Sequence, residues 1–229
     1  MTLLAALPDG MLAFGYGDYD TNTGPIDLLG LDPASGDWSV LYNDAPTEEI
    51  NAGTVIDGYL WVPSIDPVGS GDGTLITNAP SGTWRLVTVD VAGKGPAVHL
   101  YGVAGQAGVL YVCGARRILV SEGNVSNIDV GAAIVWKSTD DGDTWTEDLA
   151  YLGDNTDAYL RFYYFRNLGG ELCVLASDYS HHWTLNAGTW RQHSGAPTPI
   201  ISPHPGYTYA IIGSFTYLCD GATVYRTIT

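Results

Sequence analysis

The chain has 229 residues, and 9 Lys and Arg against 25 Asp and Glu give a formal net charge of −16 and an isoelectric point near 4.2. A surface this acidic repels phosphate backbones and anionic lipids, so neither nucleic acid nor a membrane is an expected partner. The chain is rich in Tyr, Trp, Gly and Pro, and this composition predicts an all-β protein with little helix.

Short apolar strands, each introduced by a glycine, recur along the chain. These glycines are Gly10, Gly58, Gly108, Gly170 and Gly206. Each strand is followed by a polar turn that contains glycine, and four of the five turns end in tryptophan. The turns are 32–38, 78–84, 138–145, 186–190 and 220–225. Glycine-led strands and turns alternate without exception, which is typical of a repeat architecture.

The alternation predicts a repeat of four short strands, in which a glycine turn joins the first two strands and a tryptophan turn joins the last two. We therefore predict a single β-propeller domain over 1–229, with five blades of four antiparallel strands and with six blades as the alternative. The predicted blades are 1–44, 45–92, 93–151, 152–197 and 198–229. The third blade is longest because an insertion, 115–130, separates its second and third strands.

The turn at 138–145 is the best preserved of the series and reads S-x-D-x-G-x-T-W. Asp140 is expected to accept hydrogen bonds from the backbone that follows it, and Gly142 to take a positive φ. The pattern resembles the Asp box of sialidases and of many non-enzymatic β-propellers. That resemblance implies a structural blade turn, formed by Ser138, Asp140, Gly142, Thr144 and Trp145.

A candidate site follows from the repeat register. In an up-and-down blade the glycine and tryptophan turns lie on one face, and the longer loops on the other, where recognition is usual. Counting eight residues from each repeat glycine gives Asp18, Asp66, Arg116, Asp178 and Ser214. Three carboxylates and a guanidinium are thus predicted to ring the channel mouth, although such Asp residues could equally cap turns. The full predicted binding set is Asp18, Tyr19, Asp20, Asp66, Arg116, Arg117, Asp178, Tyr179 and His181.

Paired carboxylates could serve glycoside hydrolysis, with Asp18, Asp66 and Asp178 as the candidates. The sialidase resemblance would also require an arginine cluster, a Tyr–Glu pair and an F-R-I-P or Y-R-I-P stretch, and the sequence contains no such stretch. We therefore predict no catalytic residue and favour a non-enzymatic protein. Oxygen-bearing Asp18, Asp20 and Asn22 alternate as in a calcium loop, but the glycine and the late Glu of such a loop are missing. No metal or other cofactor is predicted, and calcium is kept as the minor alternative.

A second resemblance involves the segments 60–67, 97–104 and 135–137, which are similar to minor tail proteins of actinobacterial phages. It implies a virion component that acts in tail assembly, in recognition of host-envelope glycan, or in both. Other tail proteins and the glycan are then the expected partners, with Tyr16, Tyr19, Tyr179 and Trp183 as candidate sugar contacts. The alternative function is a propeller glycoside hydrolase that acts on envelope carbohydrate.

Localisation and redox state are consistent with that resemblance. The apolar start, 1–7, has no basic residues and is broken by Pro8, so no signal peptide is predicted, and no stretch is long enough to span a bilayer. We therefore expect the protein to be made in a bacterial cytoplasm and carried in the virion. The three cysteines, Cys113, Cys173 and Cys219, are widely spaced in apolar segments and are predicted to be buried free thiols.

Overall fold

The computed structural model describes residues 2–15, 25–47, 49–50, 52–64, 73–95, 97–118, 131–153, 160–168, 170–177, 181–194, 209–212, 215–220 and 223–228. These ranges contain β-strands joined by turns and loops. They contain no helix, and therefore none with the length and apolarity needed to cross a membrane.

The strands form five antiparallel sheets in chain order. The first sheet consists of β1 (Thr2–Ala6), β2 (Leu12–Gly15), β3 (Ile26–Leu31) and β4 (Trp38–Ala45). The second consists of β5 (Thr54–Ile56), β6 (Tyr59–Pro63), β7 (Thr74–Thr77) and β8 (Arg85–Thr88). The third consists of β9 (Ala97–Gln106), β10 (Val109–Arg117), β11 (Gly131–Ser138) and β12 (Thr146–Tyr151). The fourth consists of β13 (Phe162–Leu168), β14 (Glu171–Ala176), β15 (His181–Asn186) and β16 (Thr189–Ser194). The fifth, with three strands, consists of β17 (Tyr209–Ile212), β18 (Phe215–Asp220) and β19 (Thr223–Ile228).

The glycine turns between first and second strands explain why tight hairpins recur. In two of them, Asp57-Gly58 and Ala107-Gly108, both residues have positive φ, between 52° and 85°. Two consecutive positive φ values define the hairpin turn whose twist matches that of the flanking strands, and glycine adopts this conformation without steric cost. In these two sheets the repeated glycine therefore specifies the turn that begins the second strand.

Alternate side chains of the middle strands pack against different neighbouring sheets. Leu60 and Val62 of β6 belong to the core shared with the first sheet, whereas Trp61 between them belongs to the core shared with the third. In β10, Val112 faces the second sheet and Tyr111 the fourth. A sheet that is covered on both faces by its neighbours reads as a nearly continuous apolar run, as these strands do. This packing is that of propeller blades.

The first strands of the first four sheets lie innermost. Strand β1 contacts β5, β5 contacts β9, and β9 contacts β13, so successive sheets meet along these strands. Sheets that stand side by side around the axis marked by their first strands form a β-propeller, and the predicted all-β propeller fold is confirmed. The predicted boundaries of the blades, and their union into one domain, stay predictions.

One detail differs from the prediction that an insertion begins at residue 115. Strand β10 continues to Arg117, so 115–117 extend a strand instead of opening the insertion. Their pairing with β11 and β9 explains this, since Ala115 faces Ala133 on one side and His99 on the other. Strand β1 pairs with β2, which makes the N-terminal segment the inner strand of the first sheet.

Candidate functional site

The strand order divides the propeller into two faces. The turn face carries the connections between first and second strands and between third and fourth strands, among them 57–58, 107–108 and 139–145. The loop face carries the beginnings of β9 and β13 and the ends of β10 and β14. The predicted site belongs to the loop face.

Most residues of the predicted site lie outside the described part of the chain. These are Asp18, Tyr19, Asp20, Asp66, Asp178 and Tyr179, together with Tyr16, Asn22 and Ser214. The ring of carboxylates at the channel mouth, and calcium at 18–22, therefore stay predictions. Of the predicted binding set, the structure describes Arg116, Arg117 and His181.

Arg116 is held inside the packing of the third sheet and is only 1% exposed. Its Nε donates to the carboxylate of Glu147 on β12, and its Nη1 donates to the carbonyl oxygen of Arg117 at 3.0 Å. Glu147 also pairs with Lys94 at 3.4 Å. Since β12 is the outermost strand, the Arg116 guanidinium reaches outward across β11. A buried guanidinium of this kind is retained by its ion pair, because losing the partner would leave an uncompensated charge.

Arg117 and His181 have different surroundings on the same face. Arg117, at the end of β10, is an exposed side chain. His181, at the start of β15, is half-buried, and its Nδ1 lies 3.3 Å from the hydroxyl oxygen of Tyr151 at the end of β12.

Trp183, a predicted sugar contact, is buried at 4% exposure, and its ring packs against Tyr151 and Phe162. Trp183 therefore supports this region from the core, and its prediction as a surface contact is wrong.

A second cluster lies closer to the axis, where β9 and β13 begin. We call it the inner group: His99, Tyr101, Arg161 and Tyr163. The guanidinium carbon of Arg161 lies 5.8 Å from the Tyr101 ring centroid and 5.7 Å from that of Tyr163, within the range of cation–π attraction. Its Nη1 also donates to the Tyr101 hydroxyl at 2.6 Å. The two tyrosine rings meet edge to face at 4.9 Å.

Backbone hydrogen bonds fix the segment that carries Arg161. The N–H of Leu160 donates to the carbonyl of Gly131, where β11 begins. The N–H of Arg161 donates to Ser177 Oγ at 3.2 Å, and the Arg161 carbonyl accepts from the Ser177 N–H at 2.9 Å. The guanidinium is therefore presented from a backbone tied to both the third and the fourth sheets.

The inner group combines ring surface with hydrogen-bonding groups. His99, Arg161 and Tyr163 are half-buried, so part of each side chain faces solvent, whereas Tyr101 is buried beneath them. Such a surface can pack against an apolar ring face and bond to hydroxyl groups at its edge. The repeat register did not find this group, although His99-Leu100-Tyr101 and Arg161-Phe162-Tyr163 share a pattern that an alignment of first strands would have shown.

The turn at 138–145 contributes to the opposite face. Asp140 accepts from the Thr144 N–H at 2.9 Å, from Thr144 Oγ1 at 2.6 Å and from Ser138 Oγ at 2.7 Å. These bonds, with that of the Thr144 side chain the strongest, lower the Asp140 pKa to about 2. Gly142 has a φ of +84°, and Trp145 is buried between the second and third sheets. The turn is built by its own side chains and anchored by the neighbouring sheet.

Possible metal ligands and cysteine thiols occur among the described residues. Among them, no three His, Cys, Asp or Glu side chains are placed to hold a metal ion. Cys113 and Cys173 are free and buried, and burial raises the pKa of Cys173 to about 12 and that of Cys113 further. Both thiols are therefore protonated and poorly reactive near neutral pH.

Comparison with known proteins shows likeness at the level of the fold. No protein-family model matches the sequence, and neither does any curated protein. The structure of a nidogen/laminin complex aligns with 100% of this chain and 75% of its own at a TM-score of 0.55 and 12% identity. An α-L-arabinanase from Penicillium chrysogenum, complexed with arabinobiose, aligns with 98% of this chain and 77% of its own at a TM-score of 0.56 and 10% identity. At such identities only the architecture is shared, and the chain is a β-propeller by fold.

Proposed function

We propose that the protein is a non-enzymatic β-propeller of a phage tail that recognises carbohydrate of the host cell envelope on its loop face. The observation that carries this proposal is the inner group, in which the rings of Tyr101 and Tyr163 pack against an arginine at the start of the innermost strands. The resemblance to actinobacteriophage tail proteins supplies the biological setting. Docking to other tail proteins is the second part of the same proposal.

The chemistry of the inner group suits a sugar ring better than an extended apolar ligand. The carbon-bound hydrogens of a pyranose or furanose ring pack against an aromatic face, which Tyr163 and His99 supply. The sugar hydroxyls need polar partners beside that contact, and the Arg161 guanidinium, whose carbon lies 5.7 Å from the Tyr163 ring centroid, can supply them. The anchored backbone of 160–161 lowers the entropy lost on binding, because the contact surface is already ordered.

Several properties support a virion component made in the cytoplasm. Two buried cysteines stay as thiols in the structure, as expected for a protein that assembles in a reducing compartment. The net charge of −16 keeps the protein soluble and away from nucleic acid during assembly. The hydrolase alternative depends on Asp18, Asp66 and Asp178, and no observation on the described residues favours it.

Binding to purified cell-wall polysaccharide of an actinobacterial host, measured by isothermal titration calorimetry, tests glycan recognition. Tyr163→Leu removes an aromatic face but retains apolar volume, so affinity is expected to fall about three- to tenfold. Tyr42→Leu, a half-buried tyrosine on the outer strand β4, is the matched control and should bind like the wild type. Equal affinities of both variants and the wild type would contradict a loop-face site, and sugar fragments released by the wild type would establish the hydrolase alternative.

The virion assignment has a separate test. Particles purified through a density gradient should contain the protein at a fixed ratio to the major tail protein, as judged by quantitative mass spectrometry. Loss of the protein from the particles during purification would overturn the tail assignment while leaving the glycan test intact.

A further inference from the structure

A groove of about 370 Å³ lies on the turn face, between the second and third sheets. Its walls come from the hairpin that joins β5 to β6, the hairpin that joins β9 to β10, and the tryptophan turns of both sheets. It is on the opposite face from the inner group, and the repeat register assigned no function to it. Its size is at the lower end of the range for pockets that hold a ligand.

The lining combines apolar walls, which are both aliphatic and aromatic, with two carboxylates. Ile56 belongs to the second-sheet side and Val109 to the third-sheet side, with Pro80 from the tryptophan turn of the second sheet. Asp57 and Asp141 also line the groove, and none of the described residues that line it is a Lys or Arg. Among the residues that the structure describes, no hydrogen bond or ion pair reaches either carboxylate.

The two walls are fixed relative to each other by Arg85 of β8. Its Nε donates to the Ala79 carbonyl at 2.9 Å on the second sheet. Its Nη2 donates to the Asp141 carbonyl at 2.6 Å, and its Nη1 pairs with the Asp143 carboxylate at 3.3 Å on the third. The guanidinium is therefore engaged by both walls, and the groove is preformed, which lowers the entropic cost of filling it.

We propose that this groove is a docking site for a peptide segment of a partner protein that carries a lysine or arginine side chain between apolar neighbours. A long cationic side chain has an apolar stem and a charged end, which matches aliphatic walls that carry carboxylates. The acidic surface of the whole molecule, with a net charge of −16, steers a basic segment towards it. The proposal does not rest on glycan recognition, because it concerns the other face.

Backbone NMR of the full chain tests this with two tripeptide probes, acetyl-Leu-Arg-Leu-amide and its charge-reversed counterpart acetyl-Leu-Glu-Leu-amide. The arginine probe should shift the amides of 57–58, 107–108 and 141–142 and bind with a dissociation constant of about a millimolar or below. The glutamate probe should bind at least about tenfold more weakly, and added salt should weaken only the arginine probe.

The double variant Asp57→Asn, Asp141→Asn removes the charge but keeps the turns, because asparagine tolerates the positive φ of both positions. Its affinity for the arginine probe should fall at least about tenfold, the order of one charge-assisted hydrogen bond. Asp37→Asn, which removes an exposed carboxylate from the first-sheet turn, should leave binding unchanged.

The proposal would be overturned by no shifts up to the solubility limit of the arginine probe, by equal binding of both probes, or by equal loss of affinity in the double variant and in Asp37→Asn. Shifts confined to the loop face would also overturn it, because they would place the cation-binding surface elsewhere. Loss of glycan binding in the experiments above would have no bearing on these results.

Discussion

The turns at 138–145 and at 32–38 occupy the same place in their sheets, yet their tryptophans have different surroundings. Trp145 is 6% exposed and belongs to the core shared by the second and third sheets. Trp38 is 52% exposed, and its ring lies 5.2 Å from Phe14 of its own sheet. Between these extremes, Trp190 donates from Nε1 to Asp148 of the third sheet at 2.8 Å.

The polar half of the two turns is similar. Asp140 accepts from Thr144, and Asp32 accepts from the Ala34 N–H at 2.8 Å and from Ser35 Oγ at 3.1 Å. Short-range hydrogen bonds therefore build both turns, whereas the contribution of the tryptophan to stability depends on whether a neighbouring sheet covers it. The same local sequence pattern thus contributes differently to the stability of different blades.

Substitution of Trp145 should lower the free energy of unfolding much more than substitution of Trp38. Trp145→Ala should lower the free energy of unfolding by about 3–5 kcal/mol, because it removes a large buried ring and leaves a cavity between two sheets. Trp38→Ala should change it by less than about 1 kcal/mol, since half of that side chain is already in water. Urea denaturation followed by circular dichroism measures both, and similar losses would contradict the difference in packing.

Arg85 of the second sheet forms hydrogen bonds that link this sheet to the 138–145 turn, and a substitution of Arg85 removes them. Arg85→Met keeps the apolar stem but removes the donors to Ala79 and Asp141, and should cost about 1–2 kcal/mol of unfolding free energy. Arg191→Met, at an exposed position on β16, is the matched control and should stay within about 0.5 kcal/mol of the wild type. An Arg85→Met variant as stable as that control would show that the hydrogen bonds of Arg85 do not contribute to stability.

The two turns also differ in how well their glycines, Gly142 and Gly36, should tolerate substitution by alanine. Gly142 and Gly36 have φ values of +84° and +80°, so alanine at either position should cost about 1 kcal/mol through the left-handed conformation alone. At Gly142 the added Cβ would also lie 3.3 Å from the Trp145 ring and from Val87, whereas at Gly36 it would meet open space. Gly142→Ala should therefore be the more destabilising variant, by about 1 kcal/mol in the same denaturation series.

A smaller effect is expected on the stability of the protein at acidic pH, through the carboxyl group of Asp140. The folded pKa of Asp140, about 2, lies below its usual value of 3.8, so its contribution to stability is complete above about pH 4 and is lost as the pH falls towards 2. Asp140→Asn removes that titration and should flatten the acid side of a plot of thermal midpoint against pH. Asp32→Asn, whose parent carboxyl also has a lowered pKa, should flatten it less. An unchanged acid limb in Asp140→Asn would contradict the role of the turn's hydrogen bonds.

Much of the fold could be predicted from the sequence because its signals are local. The glycine of each hairpin and the polar residues of each tryptophan turn act within a few positions, and they place the strands. Burial of Trp145 but not Trp38 could not be predicted, since it depends on which sheet covers each ring. The contact of Arg116 with Glu147 could not be predicted either, because strand β11 lies between those residues in the sheet.

The contacts of the candidate site could not be predicted from the sequence for the same reason, because they join different sheets. Tyr101 and Arg161 meet because the third and fourth sheets stand side by side, and nothing in the periodicity of either strand indicates that contact. The groove of the turn face likewise needs two sheets to form. The register-based ring of Asp18, Asp66 and Asp178 remains a prediction for residues beyond those described.

Hydroxyl-radical footprinting with host cell-wall polysaccharide tests glycan recognition by the loop face, because it reports on aromatic side chains of both faces in one experiment. We expect the polysaccharide to reduce oxidation of Tyr163 and His99 on the loop face, while Tyr59 on the turn face and Trp38 on the outer strand keep their unbound rates. Protection of Tyr59 instead, or of none of these residues at saturating polysaccharide, would contradict glycan recognition by the loop face.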